Sequence, residues 1–102
     1  MRIEWTAEAA AELEHMLDYL ARQSSEAAAL VAGRVLEMEA SILQFPFAGR
    51  HDPATDTYDR YVRKTRIILT YSIRDEVIWI VTAWHSSRDP TSKPNRTVQL
   101  RP

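Results

Sequence analysis

The sequence has no cysteine, only two glycines and no apolar run near the roughly 20 residues that a membrane-spanning helix needs. Without cysteine, a disulfide-stapled scaffold, a cysteine-ligated zinc site and a thiol nucleophile are all excluded. With glycine only at positions 33 and 49, there is no glycine-rich loop of the kind that holds phosphate groups. The first five residues include an acid and lack an apolar stretch, so we expect no signal peptide and a cytoplasmic protein without membrane contact.

What is present indicates one ordinary globular domain. The chain has 102 residues, of which 45% are hydrophobic and 26% charged, close to the averages for folded proteins. We predict a single domain over residues 1–90 and a C-terminal tail over residues 91–102, where prolines replace the periodic pattern. His15 and His51 are isolated from each other and show no metal-ligand spacing, so we expect neither a metal nor a cofactor.

Two helical segments occupy the first half of the chain. After a short strand signal at the N-terminus, Thr6 is suited to cap a helix that runs from Ala9 to about Arg22. A second apolar stripe runs from Ala28 to Ile42, and its helix must end before Pro46. Gly33 lies within this stripe, either because another helix approaches closely or because its cost is tolerated. The short break between the stripes, where either of two serines can cap, predicts an antiparallel helical hairpin.

Three strand signals follow a polar loop at residues 47–59. They cover Tyr61–Thr65, Arg66–Arg74 and Val77–His85. The last of these is apolar on both faces, which predicts a central strand covered on each side. If its side chains alternate strictly, Ile80 and Ala83 lie on opposite faces. The element order is β-α-α-β-β-β. We therefore predict an α+β fold in which an antiparallel sheet of about four strands is covered on one face by the helical hairpin.

The formal net charge of −1 conceals a strong segregation of charge along the chain. Residues 1–44 carry a net charge of −5, residues 45–59 carry −2, residues 60–74 carry +5 and the remainder carries +1. The basic run is consistent with a solvated edge strand, on which lysine and arginine discourage aggregation. It is equally consistent with a patch for an anionic partner, either nucleic acid or an acidic protein segment.

His85 is the one histidine in a setting that suggests catalysis. It ends the last strand signal and is followed by Ser86, Ser87 and Arg88. A histidine beside arginine can act as a general acid or base in phosphodiester cleavage, while the arginine stabilises the developing charge. Tyr71, on the neighbouring predicted strand, would join such a site. The structural alternative is that His85 caps a sheet edge and Arg88 pairs with an acid.

Several segments together carry a resemblance to a known family. They are the Trp5 start with its alanine- and leucine-rich first helix, the turn Pro46-Phe47-Ala48-Gly49-Arg50, the strand Arg66–Tyr71 and the ending Ala83–Arg88. In this order and spacing they resemble the ParE/RelE superfamily of bacterial type II toxins, over residues 2–90. The turn and the long hairpin are closer to the ParE branch. No aromatic residue follows Trp84, so the C-terminal catalytic tyrosine of many RelE-like nucleases is absent.

The resemblance implies a growth-arresting toxin, of the kind linked to plasmid stabilisation, that poisons DNA gyrase by binding to it. It also implies a cognate ParD-like antitoxin, a ribbon-helix-helix DNA-binding protein whose C-terminal segment folds onto the toxin in a hetero-oligomer. We predict that the basic run, its interleaved tyrosines and the arginine of the turn contact the antitoxin or the target. These residues are Arg50, Tyr58, Arg60, Tyr61, Arg63, Lys64 and Arg66.

Two alternatives from other classes stay open. A RelE-like enzyme would cut messenger RNA on the ribosome, and its candidate residues are Arg63, Arg66, Tyr71, His85 and Arg88. The other alternative is an interaction domain that keeps the fold without being toxic.

Overall fold

A computed structural model describes residues 1–86, which form two helices and five strands. The elements in chain order are β1 (Arg2–Trp5), α1 (Ala7–Gln23), α2 (Ser25–Gln44), β2 (Arg50–Asp52), β3 (Thr57–Tyr61), β4 (Ile67–Arg74) and β5 (Val77–His85). The strands lie in one sheet in the order β1-β5-β4-β3-β2. The predicted α+β fold is confirmed. The predicted tail at residues 91–102, the domain boundary at residue 90 and Arg88 all lie outside the described residues.

The helical hairpin is capped as the sequence predicts. The Thr6 hydroxyl accepts a hydrogen bond from the Ala9 amide at 3.2 Å, which satisfies one of the free N–H groups of the first turn of α1. Ser24 is the single residue between the helices: its amide donates to the Leu20 carbonyl at 2.7 Å, and its hydroxyl accepts from the Ala27 amide at 3.1 Å. One residue therefore ends α1 and begins α2, and α2 stops at Gln44 just before the Phe45-Pro46 step.

The sheet differs from the prediction in strand number and in the direction of β1. We predicted about four antiparallel strands, whereas the sheet has five, and β1 runs parallel to β5 with Arg2 opposite Val77 and Trp5 opposite Ile80. The remaining neighbours are antiparallel. A period-2 pattern identifies a strand but carries no information about its direction, so a four-residue strand at one edge could not be oriented from sequence.

The segment between α2 and β4 was also assigned incorrectly. The predicted polar loop at residues 47–59 contains β2 and the start of β3, while the predicted strand Tyr61–Thr65 is wrong because β3 ends at Tyr61. The chain turns at residues 62–65, where the Thr65 amide and hydroxyl both donate to the Val62 carbonyl, at 3.2 and 2.8 Å. Lys64 adopts a left-handed conformation with φ 59°. Threonine closes this turn through its hydroxyl, so its preference for strands was misleading here.

A bulge in β5 determines which side chains face the helices. Thr70 lies opposite Thr82 but Tyr71 lies opposite Ile80, so Val81 is an extra residue in β5. Ile80 and Ala83 consequently share the helix-facing side, and the strict alternation predicted for this strand is wrong beyond Val81.

The helix-facing side of the sheet forms the core. It packs Leu69, Tyr71 and Ile80, among others, against Val35 and Ile42 of α2. Ile68, Thr82 and Trp84 on the opposite side are also less than a tenth exposed. The prediction that β5 is a central strand buried on both faces is therefore confirmed.

Candidate functional site

The most concentrated positive charge on the described surface lies where β3 turns into β4. Arg63 and Lys64 occupy the tip of the turn and Arg66 follows it directly, and all three are exposed. The Val62 amide donates to the Ile67 carbonyl at 2.9 Å, and the Ile67 amide donates to the Thr65 hydroxyl at 3.0 Å. These bonds hold the turn in one conformation. We call Arg63, Lys64 and Arg66 the basic turn.

An apolar groove of about 480 Å³ lies beside the basic turn, where the helical hairpin crosses the end of the sheet. We call it the hairpin groove. Its walls are mostly hydrocarbon and aromatic side chains, and Arg66 belongs both to it and to the basic turn. The groove is lined by His15, Met16, Tyr19 and Leu20 of α1, Val31 of α2, Thr65, Arg66 and Ile67 before and within β4, and His85 of β5.

His85 belongs to this groove because of the bulge in β5. The bulge turns His85 to the helix-facing side, opposite Ile67. The Ser86 amide then donates to the Arg66 carbonyl at 2.6 Å, which ties the end of β5 to the start of β4. The structure therefore brings together His85 and Arg66, two residues that the sequence nominated for nuclease chemistry.

Tyr71, another member of that nuclease set, is not in the groove. Its side chain is completely buried and its hydroxyl donates to the Pro46 carbonyl at 2.8 Å. Burial raises the pKa of the Tyr71 phenol above its ordinary value, although the positive charge of Arg60 acts in the opposite direction. Tyr71 is also four residues from Ile67 along β4, or about 13 Å from the level of His85. A buried phenol at that separation, bonded to the turn after α2, is placed to support the fold and does not reach His85.

Arg60 and Tyr58 are engaged in contacts inside the protein. Arg60 donates through Nη2 to the Ser41 hydroxyl at 2.7 Å and through Nη1 to the Phe45 carbonyl at 3.5 Å. Its charge thus lies at the C-terminal end of α2, where the helix dipole favours a cation. The Tyr58 ring stacks on Tyr71 with a centroid distance of 5.5 Å and meets Phe47 edge to face at 5.8 Å. A role for either side chain toward a partner stays a prediction.

Arg50 and Tyr61 lie on the other side of the sheet from Arg60. Both line a wider depression of about 700 Å³, together with Asp52 and Asp59. Tyr61 is 62% exposed, and Arg50 is paired in the strand register with Asp59. The charges of this depression are mixed. The seven predicted contact residues are therefore split among three places. These are the basic turn, the helix-facing side of β3, where Tyr58 and Arg60 are half-buried in contacts within the protein, and this depression of mixed charge.

Sequence reasoning missed the contribution of α1 to the site. His15 has no role in the sequence prediction and is exposed on α1, yet with Met16 and Tyr19 it lines the hairpin groove. Helical periodicity finds the side of a helix that faces the core. It cannot find the side chains that line a groove formed only when α1 packs beside the ends of β4 and β5.

The part of the chain from residue 1 to residue 86 offers neither a metal site nor a membrane-spanning helix. Within it, no three histidine, aspartate or glutamate side chains are grouped so that they could hold a metal ion. No helix in that range is long and apolar enough to cross a membrane.

The comparisons with known proteins agree with this architecture. The chain is similar to a solved structure entitled "Chromosomal ParDE TA system from P. aeruginosa", with a TM-score of 0.73 and 19% sequence identity. The alignment covers 83% of this chain and 95% of that one, which shows that the fold is shared. No curated protein sequence matches significantly. The family described as "ParE toxin of type II toxin-antitoxin system, parDE" matches residues 3–90, most of the sequence, and the chain therefore belongs to the ParE toxin family.

Proposed function

We propose that the chain arrests growth by binding DNA gyrase and is neutralised by a cognate ParD-like antitoxin of the ribbon-helix-helix type. Membership of the ParE toxin family supports a toxin with an antitoxin partner. The gyrase target rests on the resemblance to the ParE branch alone. Since gyrase acts on the bacterial chromosome, the proposal places the chain in the cytoplasm.

The hairpin groove beside the basic turn is the observation that carries the antitoxin part of this proposal. An amphipathic antitoxin segment can place apolar side chains in the groove while its acidic side chains meet Arg63, Lys64 and Arg66. Apolar burial supplies affinity, and the surrounding charge selects an acidic segment and speeds encounter. Such a segment would cover Arg66 and His85 together.

Purified gyrase tests the target directly. We expect the chain to inhibit supercoiling and to increase cleaved DNA in a reaction with gyrase, DNA and ATP. Transcripts should stay intact in a parallel translation reaction. Codon-positioned cuts in messenger RNA with normal supercoiling would contradict the proposal and favour the ribonuclease alternative. Growth without arrest, in cells that express the chain alone, would favour the non-toxic interaction domain.

Charge reversal tests the antitoxin site. We expect Arg63→Glu combined with Arg66→Glu to weaken binding of the antitoxin about ten- to hundredfold by calorimetry, because it replaces attraction with repulsion at the groove. The matched control is Arg2→Glu combined with Arg74→Glu, which makes the same charge change at the opposite end of the sheet. If the two double variants bind the antitoxin equally well, the antitoxin does not dock at the basic turn.

A further inference from the structure

The side of α2 that faces away from the core exposes large apolar side chains. Leu36 is 66% exposed and Leu43 is 43% exposed, and their spacing of seven residues puts them on one side of the helix. Ala29 and Ala40, also exposed, complete this stripe. We call Ala29, Leu36, Ala40 and Leu43 the outer face of α2. It is separate from the hairpin groove, to which α2 contributes Val31.

Exposed apolar residues continue in the chain immediately after the outer face. Phe45 is 55% exposed and Phe47 is 65% exposed, in the turn that follows α2. Single exposed leucines are common in folded proteins, but an apolar stripe followed by two exposed phenylalanines is typical of an interaction surface.

Gly33 adds a separate observation on the same helix. Within residues 1–86, and apart from Gly33's chain neighbours and the adjacent backbone of α2, no atom lies within 4 Å of the place where a Cβ of Gly33 would be. The close helix contact that would explain this glycine is therefore not made inside the described part of the protein. A glycine in a helix interior disfavours the helix, but it allows another backbone to approach closely.

The charges of α2 indicate what kind of surface can cover the outer face. The helix carries Glu26, Glu37 and Glu39 against a single cation, Arg34, which pairs with Glu37 at 3.4 Å. A second copy of this chain would bring the same acidic margin against itself. An acidic antitoxin segment would also be repelled here, although the basic turn attracts it. A partner with an apolar strip and basic margins is complementary.

We propose that the outer face of α2 binds the toxin's target, through an apolar helix on the target that is flanked by lysine or arginine. This inference rests on the proposed function, because it requires a target distinct from the antitoxin. The protein then has two docking surfaces of opposite charge. The basic turn and the hairpin groove bind the antitoxin, and the outer face, which has acidic residues at its margins, binds the target.

The test compares two sets of lysine substitutions on the same helix. Leu36→Lys combined with Leu43→Lys removes the apolar stripe and adds charge that repels a basic partner. The control on the same helix is the single variant Leu30→Lys, since Leu30 is 62% exposed on α2 but lies outside the outer face. Each variant is measured for growth arrest on expression without antitoxin, inhibition of purified gyrase, antitoxin binding by calorimetry and molar mass by light scattering.

We expect the double variant to lose at least tenfold in growth arrest and in gyrase inhibition while it binds the antitoxin as the wild type does. The Leu30→Lys control should keep both activities. Full arrest by the double variant, loss of its antitoxin binding, or a wild-type dimer that the double variant splits would each overturn the inference. If the wild-type chain itself causes no arrest and leaves gyrase active, the proposed function fails first and the inference fails with it.

Discussion

Tyr71 is a residue whose interpretation depends on its position in the fold. From the sequence it was a candidate for nuclease chemistry, because it lies on a strand next to His85. In the structure its ring is buried, and its hydroxyl bonds to the Pro46 carbonyl of the turn after α2. Its residue type and its place on a predicted strand were enough to make Tyr71 a candidate for nuclease chemistry. Its distance along the strand from His85 and its bonding partner depend on the strand register, which no local pattern encodes.

Replacing Tyr71 by phenylalanine separates the structural role from the catalytic one. We expect Tyr71→Phe to lower the free energy of unfolding by about 1–2 kcal/mol, because the Pro46 carbonyl loses its donor. Urea denaturation measures this loss, and growth arrest at a temperature where the variant is folded should match the wild type. Loss of arrest in a fully folded variant would mean that the phenol takes part in chemistry.

Glu39 is a single residue that should make the stability of the protein depend on pH. Burial raises the pKa of its carboxyl above the ordinary value, opposed in part by a hydrogen bond with the Trp5 side chain. The carboxyl of Glu39 therefore binds a proton more tightly in the folded state than in the unfolded state. The stability that this proton contributes is present below the ordinary glutamate pKa and is lost as the pH rises through the higher folded value.

Glutamine at position 39 is neutral at every pH and can still accept a hydrogen bond from Trp5. We expect Glu39→Gln to raise the melting temperature slightly at pH 7. We expect the gain to shrink as the pH falls through the raised pKa of Glu39, and to level off once the pH is below the ordinary glutamate pKa of about 4.3. Thermal melts at several pH values measure the difference. An equal gain at all pH values would show that the carboxyl's charge is not the cause.

At the scale of elements, local signals predicted the hairpin well and the β2–β3 region poorly. Thr6, Ser24 and Pro46 mark the helix ends through bonds or restrictions that involve only neighbouring residues. The turn at residues 62–65 and the bulge at Val81 have no comparable local marker. The bulge depends on the match between β4 and β5, and it determines that His85 faces the hairpin groove.

Gly33 lies inside α2 and Gly49 lies in the bend just before β2, and the two should respond oppositely to alanine. A Cβ at Gly49 would lie 2.8 Å from the Asp59 carbonyl oxygen and 3.1 Å from the Tyr71 hydroxyl, so β3 or the turn must shift. We expect Gly49→Ala to destabilise the protein by about 1–3 kcal/mol. We expect Gly33→Ala to stabilise it by up to about 1 kcal/mol, because alanine favours the helix and nothing within residues 1–86 blocks it.

Chemical denaturation of both glycine variants under identical conditions measures the two changes. Each serves as the control for the other, since both add one methyl group. Two changes of the same sign would contradict the assignment of Gly49 to a close approach or of Gly33 to open space.

At the scale of the whole molecule, the net charges of the separate segments predicted the charged surfaces better than the net charge of the chain did. The positive and negative charges that are segregated along the sequence are also apart in the fold. The acidic residues of the first half lie on the helices, and the basic turn lies where β3 meets β4. The sequence predicted this basic surface and several of its residues. It did not predict the adjoining groove, because His15, Thr65 and His85 come together only when the hairpin packs across the sheet end.

This separation of charge predicts how association with the antitoxin depends on salt. Long-range attraction to the basic turn should speed encounter at low ionic strength, whereas contacts in the hairpin groove should govern dissociation. Raising salt from about 0.1 M to about 1 M shortens the Debye length from about 10 Å to about 3 Å. We expect the association rate to fall about tenfold over that range in stopped-flow measurements, with little change in the dissociation rate.

The charge variants give the matching internal controls for the salt series. Arg63→Glu combined with Arg66→Glu should flatten the salt dependence or invert it, because the remaining field at the groove is no longer attractive to an acidic segment. Arg2→Glu combined with Arg74→Glu should leave the slope near the wild-type value, since both positions lie at the far end of the sheet. If the association rate were insensitive to salt in the wild type, the antitoxin would reach the toxin through apolar contact alone. The basic turn would then be only a solvated connection between two strands.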